Sequence, residues 1–86
     1  MVEIILSPAA AAFYNAADRP LSRKLDRCFE RLEANPRDAG NAKRLRGEWS
    51  GYWRYRVGDW RVIFRIDDTS NRINVVVIAH RRDVYE

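Results

Sequence analysis

The sequence predicts an α+β fold in which two N-terminal helices pack on one face of a small antiparallel β-sheet. Three observations predict it. Two stretches with helix start and stop signals lie in the first half of the chain. Three runs rich in aromatic and β-branched residues follow them. Within the central pair of runs the side chains alternate so that one face is apolar, and such a face needs helices to cover it.

Each element can be justified in order. Val2 to Leu6 is a short apolar run that reads as an edge or early strand. Ser7-Pro8 is a helix start, with Ser7 as N-cap and Pro8 in the first turn, and the alanine run after it propagates a helix to about Ala17. Asp18-Arg19-Pro20 breaks that helix. A second runs from about Pro20 to Ala34, with Leu21, Leu25, Cys28, Phe29 and Leu32 on one stripe. Its other faces mix both charge signs, as a solvated surface does. Asn35-Pro36 stops it. Residues 37–42 read as polar loop, Lys43 to Arg46 as a short strand, and Gly47 to Trp49 as turn and loop.

A hairpin comes next: strands Tyr52 to Val57 and Trp60 to Ile66, joined by the two-residue turn Gly58-Asp59. Gly58 supplies the positive φ that the first position of a type II′ turn needs. Trp53, Tyr55, Val57, Trp60, Val62, Phe64 and Ile66 share one face, which makes the aromatic residues core rather than binding surface. Tyr52, Arg54, Arg56, Arg61, Ile63 and Arg65 share the other. The turn fixes the register, with Arg56 opposite Arg61, Arg54 opposite Ile63 and Tyr52 opposite Arg65. A third strand, Ile73 to Ala79, follows a turn at 67–71. If that turn is symmetric, Ile73, Val75, Val77 and Ala79 extend the apolar face and His80 lies near Gly58-Asp59. Ile63, Val76 and Ile78 then point to the arginine side, where the C-terminal tail with Tyr85 is the nearest cover.

Eighty-six residues are expected to form one domain, 1–86, around one core. With 47% apolar and 33% charged residues the chain is globular. No apolar run approaches the roughly 18 residues of a membrane span, and the first residues are too mixed for a signal peptide. The lone cysteine, Cys28, reads as a buried helix residue and fits a reducing, cytoplasmic setting. One Cys and one His make no zinc site, no phosphate-binding glycine loop is present, and no Ser–His pair suits triad chemistry, so no cofactor is expected.

Charge distribution is more informative. The net charge is +4, yet residues 43–66 carry seven basic residues against Glu48 and Asp59, which leaves the remainder near neutral. Like charges opposed across an antiparallel pair are destabilising, so stacking arginines on one side of one hairpin points to an anion there. Guanidinium forks match phosphate. His80, Arg81, Arg82 and Tyr85 are expected to converge on the same face from the end of the third strand. Such a set can hold a phosphodiester and stabilise its pentacovalent transition state by charge, with the 2′-OH of RNA as nucleophile. Tyr52 and Tyr85, with Trp49 as a further candidate, offer rings for splayed bases.

Leu45-Arg-Gly47, Tyr52-Trp-Arg-Tyr-Arg-Val-Gly-Asp-Trp-Arg61 and Ile78-Ala-His-Arg-Arg-Asp-Val-Tyr85 together resemble the RelE/ParE superfamily of toxins, the RelE branch more closely. The resemblance covers nearly the whole chain. It implies a type II toxin that cleaves mRNA in the ribosomal A site and is neutralised by a small antitoxin protein. It further implies that Arg61 is the transition-state arginine, Arg81 a second catalytic arginine, and Tyr85 a residue that stacks on or orients substrate. Arg54 and Arg56 stand where RelE-type toxins often carry lysine, and arginine does not give up its proton, so neither is a general base. His80, Glu48 and Tyr85 are the candidates for that role, and His80 is equally well read as a structural strand-end residue. Lys43, Arg44, Arg46, Arg65 and Arg82 are candidate contacts to RNA or ribosome. Two other readings fit the fold: a ParE-type inhibitor that binds DNA gyrase and catalyses nothing, and a pure binding module.

Overall fold

The computed structural model describes residues 2–37 and 42–83 of the chain. Strand β1 (Glu3–Leu6) leads into helices α1 (Pro8–Ala16) and α2 (Arg19–Ala34). Strands β2 (Ala42–Arg44), β3 (Trp53–Val57), β4 (Trp60–Asp67) and β5 (Arg72–His80) follow, with a 3₁₀ turn at Gly47–Trp49 between β2 and β3. The sheet runs β1-β5-β4-β3-β2. All its pairs are antiparallel except β1 with β5.

The helix starts follow their sequence signals. Ser7 Oγ accepts from Ala10 N at 3.0 Å, and Asp18 Oδ1 accepts from Leu21 N at 3.0 Å. The α2 stripe buries Leu25, Cys28 and Leu32 against Tyr55, Val62, Phe64, Ile73, Val75 and Ile78 of the sheet, while Leu21 and Phe29 pack on the edge of this core. Burial pushes the Cys28 thiol up to about 12, despite the opposing pull of Arg31.

Two expectations about the sheet are corrected. The β4–β5 register slips between Ile63 and Phe64: Phe64 pairs with Val75, but Ile63 pairs with Val77. Val76 is the extra residue of a β-bulge, and an odd insertion reverses the alternation beyond it. Ile73 and Val75 face the helices as expected, but Val77 and Ala79 turn to the open face beside Ile63 and Arg61. Ile78 and His80 move to the helix side, opposite Val62 and Trp60. The bulge is anchored by the α1 cap: Ser7 N donates to Val75 O, and Ser7 Oγ donates to Val76 O, both at 2.8 Å. Tyr52, expected to face Arg65, lies just before β3, where its N–H donates to Trp49 O at 3.0 Å. The β3–β4 pairing ends at Trp53–Phe64, and Arg65 faces Asn74 instead.

Candidate active site

The predicted hairpin register holds from Trp53 to Val57, with Arg56 opposite Arg61 and Arg54 opposite Ile63. Gly58 adopts φ +59 while Asp59 stays out of the left-handed region, as a type II′ turn requires. β2 adds Lys43 opposite Arg54. Lys43, Arg54, Arg56, Arg61 and Arg65 therefore share the open face of three neighbouring strands. Ile63, fully buried although it points away from the helices, forms the apolar floor between them with Val77.

Two arginines are organised by the hairpin turn itself. Arg61 Nη1 donates to Gly58 O and to Trp60 O, each at 3.0 Å. These bonds fold its guanidinium back over the turn and leave its remaining N–H groups for a ligand. They also offset part of the repulsion from Arg56. Arg81 is fixed at the same turn: its backbone N donates to Asp59 O at 2.8 Å, and its Nε lies 3.8 Å from Asp59 Oδ1. Both partners of that ion pair are more than half exposed, so it contributes little and leaves Arg81 able to exchange Asp59 for another anion.

His80 does not converge on this set. The bulge puts it opposite Trp60 on the helix side, where the two rings meet edge-on with centroids 5.2 Å apart. Its Nδ1 accepts from Arg82 N at 3.2 Å, which leaves any ring proton on Nε2. Trp60 in turn packs on Phe13 of α1 at 5.1 Å. His80 is thus a strand-end fastening rather than a neighbour of Arg61.

The other expected contacts divide. Arg44 alternates to the helix side, with its guanidinium 5.8 Å from the Trp53 ring, and is separated from Lys43. Arg46 precedes the 3₁₀ turn and is exposed, as are Glu48 within it and Arg82 after β5. Arg44, Arg46 and Lys43 line a groove of about 600 Å³ along the outer side of β2. Trp49 and Tyr52 stack edge to face at 5.5 Å beside the start of β3. Tyr85 and the tail that was to cover the open face lie outside the described residues. Among the described residues no cluster of three or more His, Cys, Asp or Glu side chains is placed to hold a metal.

One cationic group escaped the sequence reading. Lys24, Arg27 and Arg31 of α2 line a pocket of about 210 Å³ together with Arg56. Its signal was present in the spacing. On a helical wheel Lys24, Arg27 and Arg31 fall on the flank next to Cys28, Asp26 and Glu33 fall on the opposite flank, and Glu30 lies on the back of the helix.

A two-helix layer covers one face of the five-stranded sheet, and basic side chains gather around the hairpin of the other face. The sequence profile described as the ParE toxin of the type II toxin–antitoxin system, parDE, matches residues 4–85. The chain belongs to that family, within the RelE/ParE superfamily of type II toxins. Toxin RelK of Mycobacterium tuberculosis (strain ATCC 25618 / H37Rv) is 36% identical over 58 residues, 65% of this chain and 68% of that protein. The toxin of the RelBE2 toxin–antitoxin complex from Mycobacterium tuberculosis superposes with a TM-score of 0.78 at 25% identity, covering 93% of this chain and 98% of that one. The YoeB/ParE toxin from Agrobacterium tumefaciens shares the fold, with a TM-score of 0.82 at 18% identity over 92% and 98% of the two chains. Among the described residues no helix is long and apolar enough to cross a membrane.

Proposed function

We propose that this toxin is a cytoplasmic, ribosome-dependent mRNA endonuclease that stops translation by cleaving message in the A site. The observation that carries this reading is the pairing of Arg61 with Arg81 at one turn, beside four further cations of the open face. In the reaction the 2′-oxygen of the substrate forms a bond to phosphorus while the bond to the 5′-oxygen breaks. A 2′,3′-cyclic phosphate and a 5′-hydroxyl result; one proton leaves the 2′-oxygen and one arrives at the 5′-oxygen. Arg61 neutralises charge developing on the non-bridging oxygens, and Arg81 supplements it, so cleavage needs no metal. Arg54 and Arg56 hold the phosphates, and Lys43 and Arg65 extend the contact along the strand. Tyr85, by its resemblance to the family's C-terminal tyrosine, stacks on or orients the substrate. Glu48 and Tyr85 remain the candidates for proton transfer, because His80 stands behind the sheet and arginines keep their protons.

Its partner is a small cognate antitoxin, a reading supported by the structural relative solved as a toxin–antitoxin complex. The test is primer extension on translated mRNA after brief expression. Cuts within codons, together with arrested protein synthesis, are expected. The parDE description of the matching family supports one alternative, a non-catalytic inhibitor of DNA gyrase. Cells that keep translating while supercoiling fails would establish that alternative and dismiss the endonuclease.

A further inference from the structure

We infer that the groove between the basic flank of α2 and the end of β3 is a second phosphate site, which holds RNA backbone outside the scissile position. The inference rests on the RNA reading above and extends it around the edge of the hairpin. Lys24, Arg27 and Arg31 succeed one another at three- and four-residue steps, so one flank of the helix presents all three charges. Arg56 lines the same groove while also standing opposite Arg61 on the open face. It therefore joins the two cationic surfaces into one path.

Among the described residues no ion pair neutralises this group. The described ion pairs are Arg37–Asp68, Arg72–Glu3 and Arg81–Asp59, and none involves Lys24, Arg27, Arg31 or Arg56. Asp26, between Lys24 and Arg27 in sequence, is turned to α1, where it accepts from Tyr14 Oη at 2.5 Å. Four cations around one pocket repel one another, and stability alone gives no reason to gather them. The pocket, about 210 Å³ with Cys28, Tyr55 and Val57 on its floor, lies below the usual range of about 300–1,000 Å³ for a small-molecule site. Its basic lining suits a single phosphate group rather than a drug-sized molecule. Three arginines supply the forked donors that phosphate oxygens accept.

The test compares two variants with the same loss of charge. One is Arg27→Gln with Arg31→Gln; the other is Arg37→Gln with Arg72→Gln, at the far end of the molecule. Binding to a fully 2′-O-methylated RNA 12-mer, which cannot be cut by 2′-OH attack, is measured over a range of salt. Each phosphate contact to a single strand contributes about 0.7 to the slope of log affinity against log salt. The expected result is a slope lower by about 1.4 for the Arg27/Arg31 variant and unchanged for the Arg37/Arg72 variant. Equal changes in both variants, or none in either, would overturn the second site while the open-face reading survives. A wild-type protein with no salt-dependent RNA binding would overturn the second site, whereas the ribosome-dependent reading is decided separately by primer extension on translated mRNA. If the Arg27/Arg31 variant keeps its slope but loses a co-expressed antitoxin, the groove takes an acidic protein segment and the RNA assignment is wrong.

Discussion

The two faces of the sheet come from the same strands and obey opposite rules. On the helix side, Val62, Phe64, Ile73 and Val75 are completely shielded from solvent. On the open side, the same stretch of chain sets Arg56 against Arg61 and Lys43 beside Arg54. Burying apolar surface is what folding rewards, at roughly 25 cal/mol per Å². Opposing like charges is what it penalises. The contrast teaches where stability ends and function begins. Residues on the covered face explain why the chain folds; those on the open face set like charges against one another, and that opposition is the reason for proposing an anionic ligand there.

The comparison can be broken most forcefully at two adjacent residues. Phe64→Ala removes a ring from the centre of the covered face and should cost about 3–5 kcal/mol in urea unfolding. Arg65→Ala, one residue on and facing outward, should stay within about 0.5 kcal/mol of wild type. Similar losses at both positions would erase the distinction between the faces.

Cys28 sharpens the covered side. Its folded thiol ionises at about 12 against an ordinary 9.0, so the unfolded chain releases this proton first as pH rises. The stabilisation is complete below about pH 9 and is lost progressively towards pH 12. Near pH 10.5 wild type should have lost about 2 kcal/mol that Cys28→Ala does not lose, since each unit of difference is about 1.4 kcal/mol. Parallel pH profiles for the two proteins would mean that the thiol is not sealed in the core.

The smallest effect belongs to the exposed pair Arg37–Asp68, whose 2.7 Å contact lies far from the hairpin. A double-mutant cycle should give under about 1 kcal/mol, because water screens both partners. A coupling of several kcal/mol would show that surface arginines here are structural after all, and that would undercut the reading of the open face.

Much of this contrast was legible in the sequence. Ser7-Pro8 and Asp18 announced the helix starts, the Leu25–Cys28–Leu32 stripe announced the covered face, and Gly58-Asp59 fixed the hairpin register down to Arg56 opposite Arg61. The placement of His80 escaped because of one residue, Val76. The run from Ile73 to Ala79 is apolar at both parities apart from Asn74, so alternation could not reveal the bulge. Without the bulge His80 is expected beside Arg61, and with it His80 is locked against Trp60. The pairing of β1 with β5 was also hidden, since a short apolar strand does not name its partner. The sorted charges of α2 were visible in principle but only on a helical wheel. In linear order Lys24, Asp26, Arg27, Glu30 and Arg31 look mixed.

The central claim is that the hairpin turn holds Arg61 to act on a phosphate rather than to support the fold. It is tested by measuring Arg61→Ala for melting temperature and for mRNA cleavage on programmed ribosomes. The substitution loses two partly solvated hydrogen bonds to Gly58 and Trp60 but relieves the repulsion from Arg56. Net stability should therefore change by no more than about 1 kcal/mol. Cleavage should fall by roughly 10²–10³-fold, the scale of losing one preorganised charge contact in a transition state. A variant that cuts at the wild-type rate, or one whose activity falls only because it melts well below wild type, would contradict the account.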